Sequence, residues 1–336
     1  MNDPAPAIEQ AGQGGGFAPQ ATLSPNQRVW RRFKRNRPAL VSLWFLVFLV
    51  FSVLAWPIVL NVLSRSGALG AHWALSLHPD RVSDAQFQPP GFAHWFGTDV
   101  HGRDLFSRVL YGAQVSLLVG LIGAALSLVI GLLWGAVAGY AGGRVDSALM
   151  RLVDILYSLP SIIFVIVIIT TFEGVLKRWF SIFGAQDSIL SPRLLLLVAG
   201  LGAVSWLTMA RIVRGQVLSL RQRPFVEASR ALGAGPVRIL MHHIIPNTLG
   251  IVIVYLALTI PAIILSESFL SYLGLGIQPP MASWGTLIAE GADQINPIRI
   301  YWWLIAFPAG FLVTSLLALN FLADGLRDAW DVRSDK

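Results

Sequence analysis

The sequence predicts an all-α integral membrane protein with six transmembrane helices and a polar hairpin between the fourth and fifth. Three observations lead there. Apolar residues make up 55% of the 336 and charged residues 13%, about half the charged share of a soluble domain, and mean hydropathy is +0.64. Six apolar stretches each approach or exceed the ~20 residues that cross a ~30 Å hydrocarbon layer. With the N-terminus placed inside, 17 Lys and Arg fall on the inner side and 8 on the outer, the bias expected of cytoplasmic loops. There are no cysteines, which excludes thiol catalysis, iron–sulfur ligation and disulfides.

Residues 1–27 are rich in Gly, Pro, Gln and Ala, include Gly14-Gly15-Gly16 and lack apolar periodicity. They read as a disordered cytoplasmic tail. Residues 28–63 hold a basic amphipathic run, with Trp30 and Phe33 among six Arg and Lys, and the first span over 39–63. That span is too long for a signal-peptide core of roughly 7–15 residues. The basic run could touch nucleic acid. Immediately beside a span it is better placed on anionic headgroups, so membrane lipids are the expected partner.

Residues 64–113 form a polar, aromatic periplasmic loop, too short for an independent domain with a good core. Five further spans are expected near 114–140, 147–171, 193–218, 248–273 and 300–322, within a core over 114–323. The tail 324–336 returns to the cytoplasm, like the N-terminus. Tryptophans near span ends, such as Trp56, Trp179 and Trp302, suit interfacial anchoring.

The loop 219–247 stands apart. Pro224 suits the first turn of a helix. Gly233 stands where a left-handed C-cap is wanted, and Gly235-Pro236 restarts the chain. A second short helix follows, with Val237, Leu240 and Ile244 on one face and Pro246 as its stop. On periodicity alone this is an amphipathic hairpin, a loop or a docking element.

The same stretch resembles the EAA loop of ABC importer permeases, whose pattern is Glu-Ala-Ala, three residues, Gly, nine residues, then Ile-x-Leu-Pro. Here stand Glu227, Ala228 and Ser229, then Gly233, then His243, Ile244, Ile245 and Pro246. The spacing is kept, with Ser for the second Ala, His at the Ile position and Ile at the Leu position. Other segments are similar to the oligopeptide, dipeptide and nickel branch: "FGTDVHGRDLFSRVLYGAQVSLLVG", "RRFKRNRPAL", "SESFLSYLGLG", "SWGTLIAEG" and "LADGLRDAWDVR". The likeness runs from about residue 28 to 333. It implies a type I ABC importer permease fold in a bacterial inner membrane and the import of oligopeptides or dipeptides. It also implies a homologous second permease, two ABC ATPases and an extracytoplasmic solute-binding protein as partners. The hairpin 224–245 would dock on an ATPase through Glu227, Ala228, Ser229, Gly233, Ile245 and Pro246. Gly97, Thr98, Asp99, Gly102, Arg103 and Asp104 would mark the branch. Nickel or another small solute is the alternative cargo.

The residues themselves bound the chemistry. None of Lys34, Lys177 and Lys336 follows a glycine, so no P-loop can form. The resemblance implies that ATP and Mg are used by the partner ATPase subunits, and no cofactor is expected on this chain. Glu267 lies inside the fifth span, where an acid costs ~3 kcal/mol and must face protein or water. It reads as a pathway or helix-junction residue, or as a structural hydrogen-bond partner of a neighbouring helix. Arg151 and Asp154 share a helix face and suggest a local ion pair. Pro160, Pro261 and Pro308 each remove a donor and kink a span, as moving and static bundles both do.

Asp104 can cap the second span, with Arg108 at i+4. The histidines do not cluster: His72, His78, His94 and His101 lie in the outer loop, and His242 and His243 are adjacent on a helix. No metal site is expected. An ion-gradient transporter would want paired intramembrane charges or matched broken helices. A membrane-embedded enzyme would want a His or carboxylate cluster within the spans. The sequence offers neither.

Overall fold

The computed structural model describes residues 25–182, 191–279 and 281–330. Most of the predicted tail 1–27, and 331–336 of the C-terminal tail, lie outside the described residues. Within them the regular secondary structure is helical, apart from one isolated antiparallel bridge between Thr98 and Asp104.

A short basic helix, α1 (Pro25–Arg35), leads into the first span, α2 (Arg37–Arg65). Asn36 caps α2 by accepting the Ala39 N–H, and its amide donates to Asp328 at 3.3 Å. Phe33 is buried against Ala39 and Ala329. The long loop between the first two spans begins with α3 (Ala68–Ser76).

The second span, α4 (Leu105–Ala141), is 37 residues long and starts at Leu105 rather than near 114. Asp104 starts it by accepting the Ser107 N–H at 2.9 Å. The added turns are apolar and buried, with Leu105, Val109, Leu110 and Ala113 in the core.

The third span differs from the expectation of one helix over 147–171. It consists of α5 (Gly143–Tyr157) and α6 (Ser161–Ile182), which meet at 84°. Pro160 is therefore not inside a helix but at the break. A residue preceding proline is pushed out of the helical region, and Leu159-Pro160 ends α5. By contrast α10 and α12, defined below, continue through Pro261 and Pro308. Asp154 also pairs elsewhere: Arg211 of the next helix reaches it at 2.8 Å, and Arg151 makes no ion pair among the described residues.

The fourth span, α7 (Pro192–Leu220), runs parallel to α4 in close contact. Glycines at 131, 135 and 139 allow this. A Cβ at Gly135 would meet the Ala210 carbonyl and Val213 Cβ, and one at Gly139 would lie 2.9 Å from the Arg214 carbonyl. Small residues one turn apart let two backbones approach.

The hairpin is α8 (Pro224–Ala231) and α9 (Pro236–Ile239), followed by a π-turn (Leu240–Ile244) and the fifth span, α10 (Ile245–Tyr272). Pro246 does not stop the second helix. It sits in the first turn of α10, and helix runs without a break from Pro236 to Tyr272. The widened turn, in which the Ile245 N–H reaches back to the Leu240 carbonyl, accommodates a proline that a regular helix would reject. The loop after α10 holds α11 (Trp284–Ala292), and α12 (Trp303–Trp330) is the sixth span. Trp330 packs where Gly250 leaves room for its ring. So α1, the end of α12, the start of α10 and the hairpin all lie at one end of the bundle.

Candidate functional site

The hairpin is mounted on the bundle end rather than hung from it. Val226, Ile239 and Ile244 are fully buried with Val213, Val217, Ala136 and Val252. Each is worth about 1.5–3 kcal/mol of burial, so α8 and α9 move with the ends of α4, α7 and α10. The buried face differs from the expected one: Ile239 faces inward, whereas Val237 is 71% exposed. Helical phase explains this, because the π-turn adds a residue between Ile239 and Ile244 and brings both onto the inner face. Arg221 fixes the hairpin's first turn. It donates to the carbonyls of Gly139 and Tyr140 at 3.1 and 3.3 Å, a cation on the carbonyl end of α4.

The two short helices join through Gly233. Its φ is +84°. Its N–H bonds the Arg230 carbonyl and the Ala234 N–H bonds the Ser229 carbonyl, both at 3.0 Å. This is the paired C-cap that glycine favours. Ser229 Oγ donates to the Phe225 carbonyl at 2.8 Å, so the hydroxyl that replaces an alanine is spent locally. Glu227 and Ala228 point outward, and Glu227 has no side-chain partner among the described residues. Ile245 is half-buried and Pro246 exposed. The hairpin also exposes Leu232 and Met241, at 89% and 50%.

At the opposite end the segment 97–104 forms a tight turn. Gly97 and Gly102 have φ of +78° and +69°, and a side chain at Gly102 would strike the Ser83 carbonyl. Thr98 is buried, its N–H bonds the Gln88 carbonyl at 3.0 Å, and its own carbonyl accepts from the Trp303 indole. Asp99 is the hub. Oδ1 accepts the N–H groups of His101 and Arg103, and Oδ2 accepts Arg103 Nε at 2.7 Å and Arg108 Nη1 at 2.8 Å. Arg108 then grips Glu290 of α11 with both terminal nitrogens, at 2.5 and 3.1 Å. Thus Arg108 does not pair with Asp104, which instead caps α4 and accepts from His94 Nδ1 at 2.9 Å.

Glu267 lies between these ends, fully buried in α10. It accepts from Ser271 Oγ at 2.7 Å, Ser116 Oγ of α4 at 3.0 Å and Ser268 Oγ at 3.3 Å. Ser116 in turn accepts the Trp284 N–H at the start of α11, and Ser271 the Ile277 N–H. The carboxylate therefore joins α4, α10 and the loop that leads into α11. It is a helix junction, and Pro261 is buried on the same helix. Pro160 lies apart from both, at the break between α5 and α6.

Sequence reasoning missed Arg108–Glu290, Arg214–Asp146 (2.5 Å) and Arg193–Glu173 (3.5 Å). No local spacing encodes these pairs. The glycine ladder at 131, 135 and 139 was legible as a four-residue repeat and was not among the expectations.

Fold and site together define a multi-pass membrane protein with an exposed helical hairpin at one end and a polar junction at the other. The chain belongs to the binding-protein-dependent transport system inner membrane component family, whose model matches residues 131–336. A second model, the N-terminal TM domain of oligopeptide transport permease C, matches residues 24–90. The oligopeptide transport permease OppC of Escherichia coli K12 is 44% identical over 306 residues, 91% of this chain and 90% of that one. The dipeptide transport permease DppC of Bacillus subtilis is 40% identical over 310 residues, covering 92% and 86%. OppC of Mycobacterium tuberculosis is 38% identical over 318 residues, covering 95% and 96%. Among solved structures, the inward-facing MetNI methionine ABC transporter aligns at a TM-score of 0.47 and 19% identity, over 67% of this chain and 97% of that one.

Proposed function

We propose that this chain is one of two membrane subunits of an ATP-driven importer that passes oligopeptides or dipeptides across a bacterial inner membrane. The observation that carries the reading is the hairpin: its inner face is locked to three span ends, and its outer face presents an unpaired Glu227 beside exposed Leu232 and Met241. The peptide cargo rests on relatives named for oligopeptide and dipeptide transport. The chain itself is non-catalytic. Two partner ATPases bind ATP and Mg, close, and push on the 224–245 hairpin, with Glu227 as a polar contact and Gly233 and Pro246 shaping the element. A homologous second permease completes the pathway, and a solute-binding protein delivers cargo to the other face. ATP closure and cargo each favour one of two existing arrangements of the helices. The start of α1 and the end of α12 lie with the hairpin, and we read that end as cytoplasmic, which the excess of Lys and Arg on that side supports.

The test is to purify the tagged chain with its native partners in mild detergent. Wild type should bring a P-loop ATPase in near-equal amount, and Glu227→Arg should lose it at least tenfold while the chain melts unchanged. An ATPase retained by Glu227→Arg, with normal ATP-driven uptake, would refute the docking role.

A further inference from the structure

The elbow between α5 and α6 encloses a cavity of about 350 Å³ against α7, lined by Tyr157, Ser161, Phe164, Ser205 and Thr208 among others. It faces away from the rest of this chain: Tyr157 is 53% exposed, and Ser161 and Thr208 are exposed as well. The hydroxyls of Tyr157, Ser161 and Thr208 find no partner among the described residues. At its rim Arg211 pairs with Asp154 at 2.8 Å and lies over the Tyr157 ring, 4.1 Å from the centroid.

The depth of this cavity makes it informative. Along α7, Arg193 holds the Gly276 carbonyl at the outer end, and Arg211 lies about 27 Å away at 1.5 Å per residue. Ser205 is about 18 Å inward of Arg193 on the same scale, so the elbow lies within the hydrocarbon layer. There a broken helix and unpaired hydroxyls are tolerated only where they are covered by protein or line water. A protein cover would also strip water from the Asp154–Arg211 pair, whose carboxylate side chain is 66% exposed, at a high desolvation cost. Water suits every one of these groups, and the volume falls in the range of small-molecule sites.

We propose that the elbow cavity is a water-filled part of the solute path near the hairpin end, and that Ser161, Ser205 and Thr208 bind main-chain amides of the passing peptide. The unpaired hydroxyls of Ser161 and Thr208 both donate and accept and so serve N–H and C=O alike, whereas Ser205 Oγ donates to the Leu201 carbonyl at 2.8 Å and is left to accept an N–H. The cavity wall itself carries no charge, which lets peptides of different side chains pass. This rests on the peptide-importer reading above.

The chain has no cysteine, so Ser161→Cys, Ser205→Cys and Thr208→Cys each introduce a single thiol. The whole complex, in liposomes, is treated with a membrane-impermeant cationic methanethiosulfonate, and this chain is weighed by mass spectrometry. Ser147→Cys, exposed on α5, gives the fast reference and Ser127→Cys, fully buried, the slow one. Uptake of a mixture of dialanine to pentaalanine is measured before and after labelling. We expect thiols at 161 and 208 to react within tenfold of the thiol at 147, and labelling there to cut ATP-driven uptake at least tenfold. Thiols as slow as that at 127 would place lipid or a partner helix in the cavity and overturn the proposal. Fast labelling with undiminished uptake would overturn it too, as water off the path. An unlabelled wild type that imports none of the peptides would instead overturn the importer reading itself, and the proposal with it.

Discussion

Replacing Arg108 by Met removes a charge while keeping an unbranched apolar stem in the same space. The Arg108 side chain is 4% exposed and joins Asp99, 5% exposed, to Glu290, 32% exposed. Removing one member of a buried ion pair costs about 3–5 kcal/mol, because the other charge stays buried and uncompensated. Asp99 keeps Arg103 and two backbone N–H groups, so the lower figure, about 3 kcal/mol, applies. At 1.4 kcal/mol per tenfold, the open population of segment 97–105 rises about 150-fold. Glu290→Gln should cost far less, about 1 kcal/mol or a rise under tenfold, because Glu290 reaches solvent and an amide oxygen still accepts. Hydrogen exchange read by mass spectrometry on the purified complex measures both, since exchange of protected amides follows local opening. His101, Arg103 and Leu105 carry the relevant N–H groups. Equal acceleration in the two variants, or a rise as large in the 224–245 hairpin, would refute the account of Asp99 as a locally buried hub.

Gly233→Ala forces a side chain into a left-handed position at about 1–2 kcal/mol, with open space around it. The helix pair should survive but loosen, and peptide-stimulated ATP hydrolysis should fall several-fold at an unchanged yield of folded chain. Gly135→Leu drives a side chain into the Ala210 carbonyl and Val213 of α7. It should abolish folded chain in detergent extracts by size-exclusion chromatography, whereas Gly310→Ala, with nothing near its Cβ, should leave the yield unchanged.

What the sequence could say followed from what is local. Apolar length placed five spans as single helices, because crossing a hydrocarbon layer is a matter of counting residues along one segment. Gly233 was legible because a left-handed C-cap is decided by one residue and its two neighbours in the chain. The third span was misjudged for a physical reason: composition does not register an 84° bend, and Pro160 could equally have been accommodated as Pro261 and Pro308 are. Pro246 was misread in the same way, since the π-turn that seats it depends on the packing of Ile239 and Ile244 beneath it. The polar junctions were out of reach. Arg108 and Glu290 are 182 positions apart, and nothing along the chain says which acid a buried guanidinium will meet.

These junctions acquire their meaning from the helix that connects them to the hairpin. From Pro236 to Tyr272 the helix runs 37 residues, about 55 Å at 1.5 Å per residue. One end is fixed to the hairpin by Ile239 and Ile244. Near the other, Glu267 holds α4 directly and, through Ser116 and Ser271, the N–H groups of Trp284 and Ile277. A helix does not stretch, and hydrogen bonds weaken steeply with misalignment. A displacement of the hairpin therefore arrives at the outer loop as motion of α10, and something there must follow or separate. Glu267 is fully buried with three hydroxyl donors, so its parting would strand a desolvated acid. Glu290 is partly solvated and, among the described residues, its side chain bonds only to arginine, and water can take over its place. If partner ATPases push on the hairpin as proposed, the contact between α11 and Arg108 is the one expected to yield first, at the turn around Asp99.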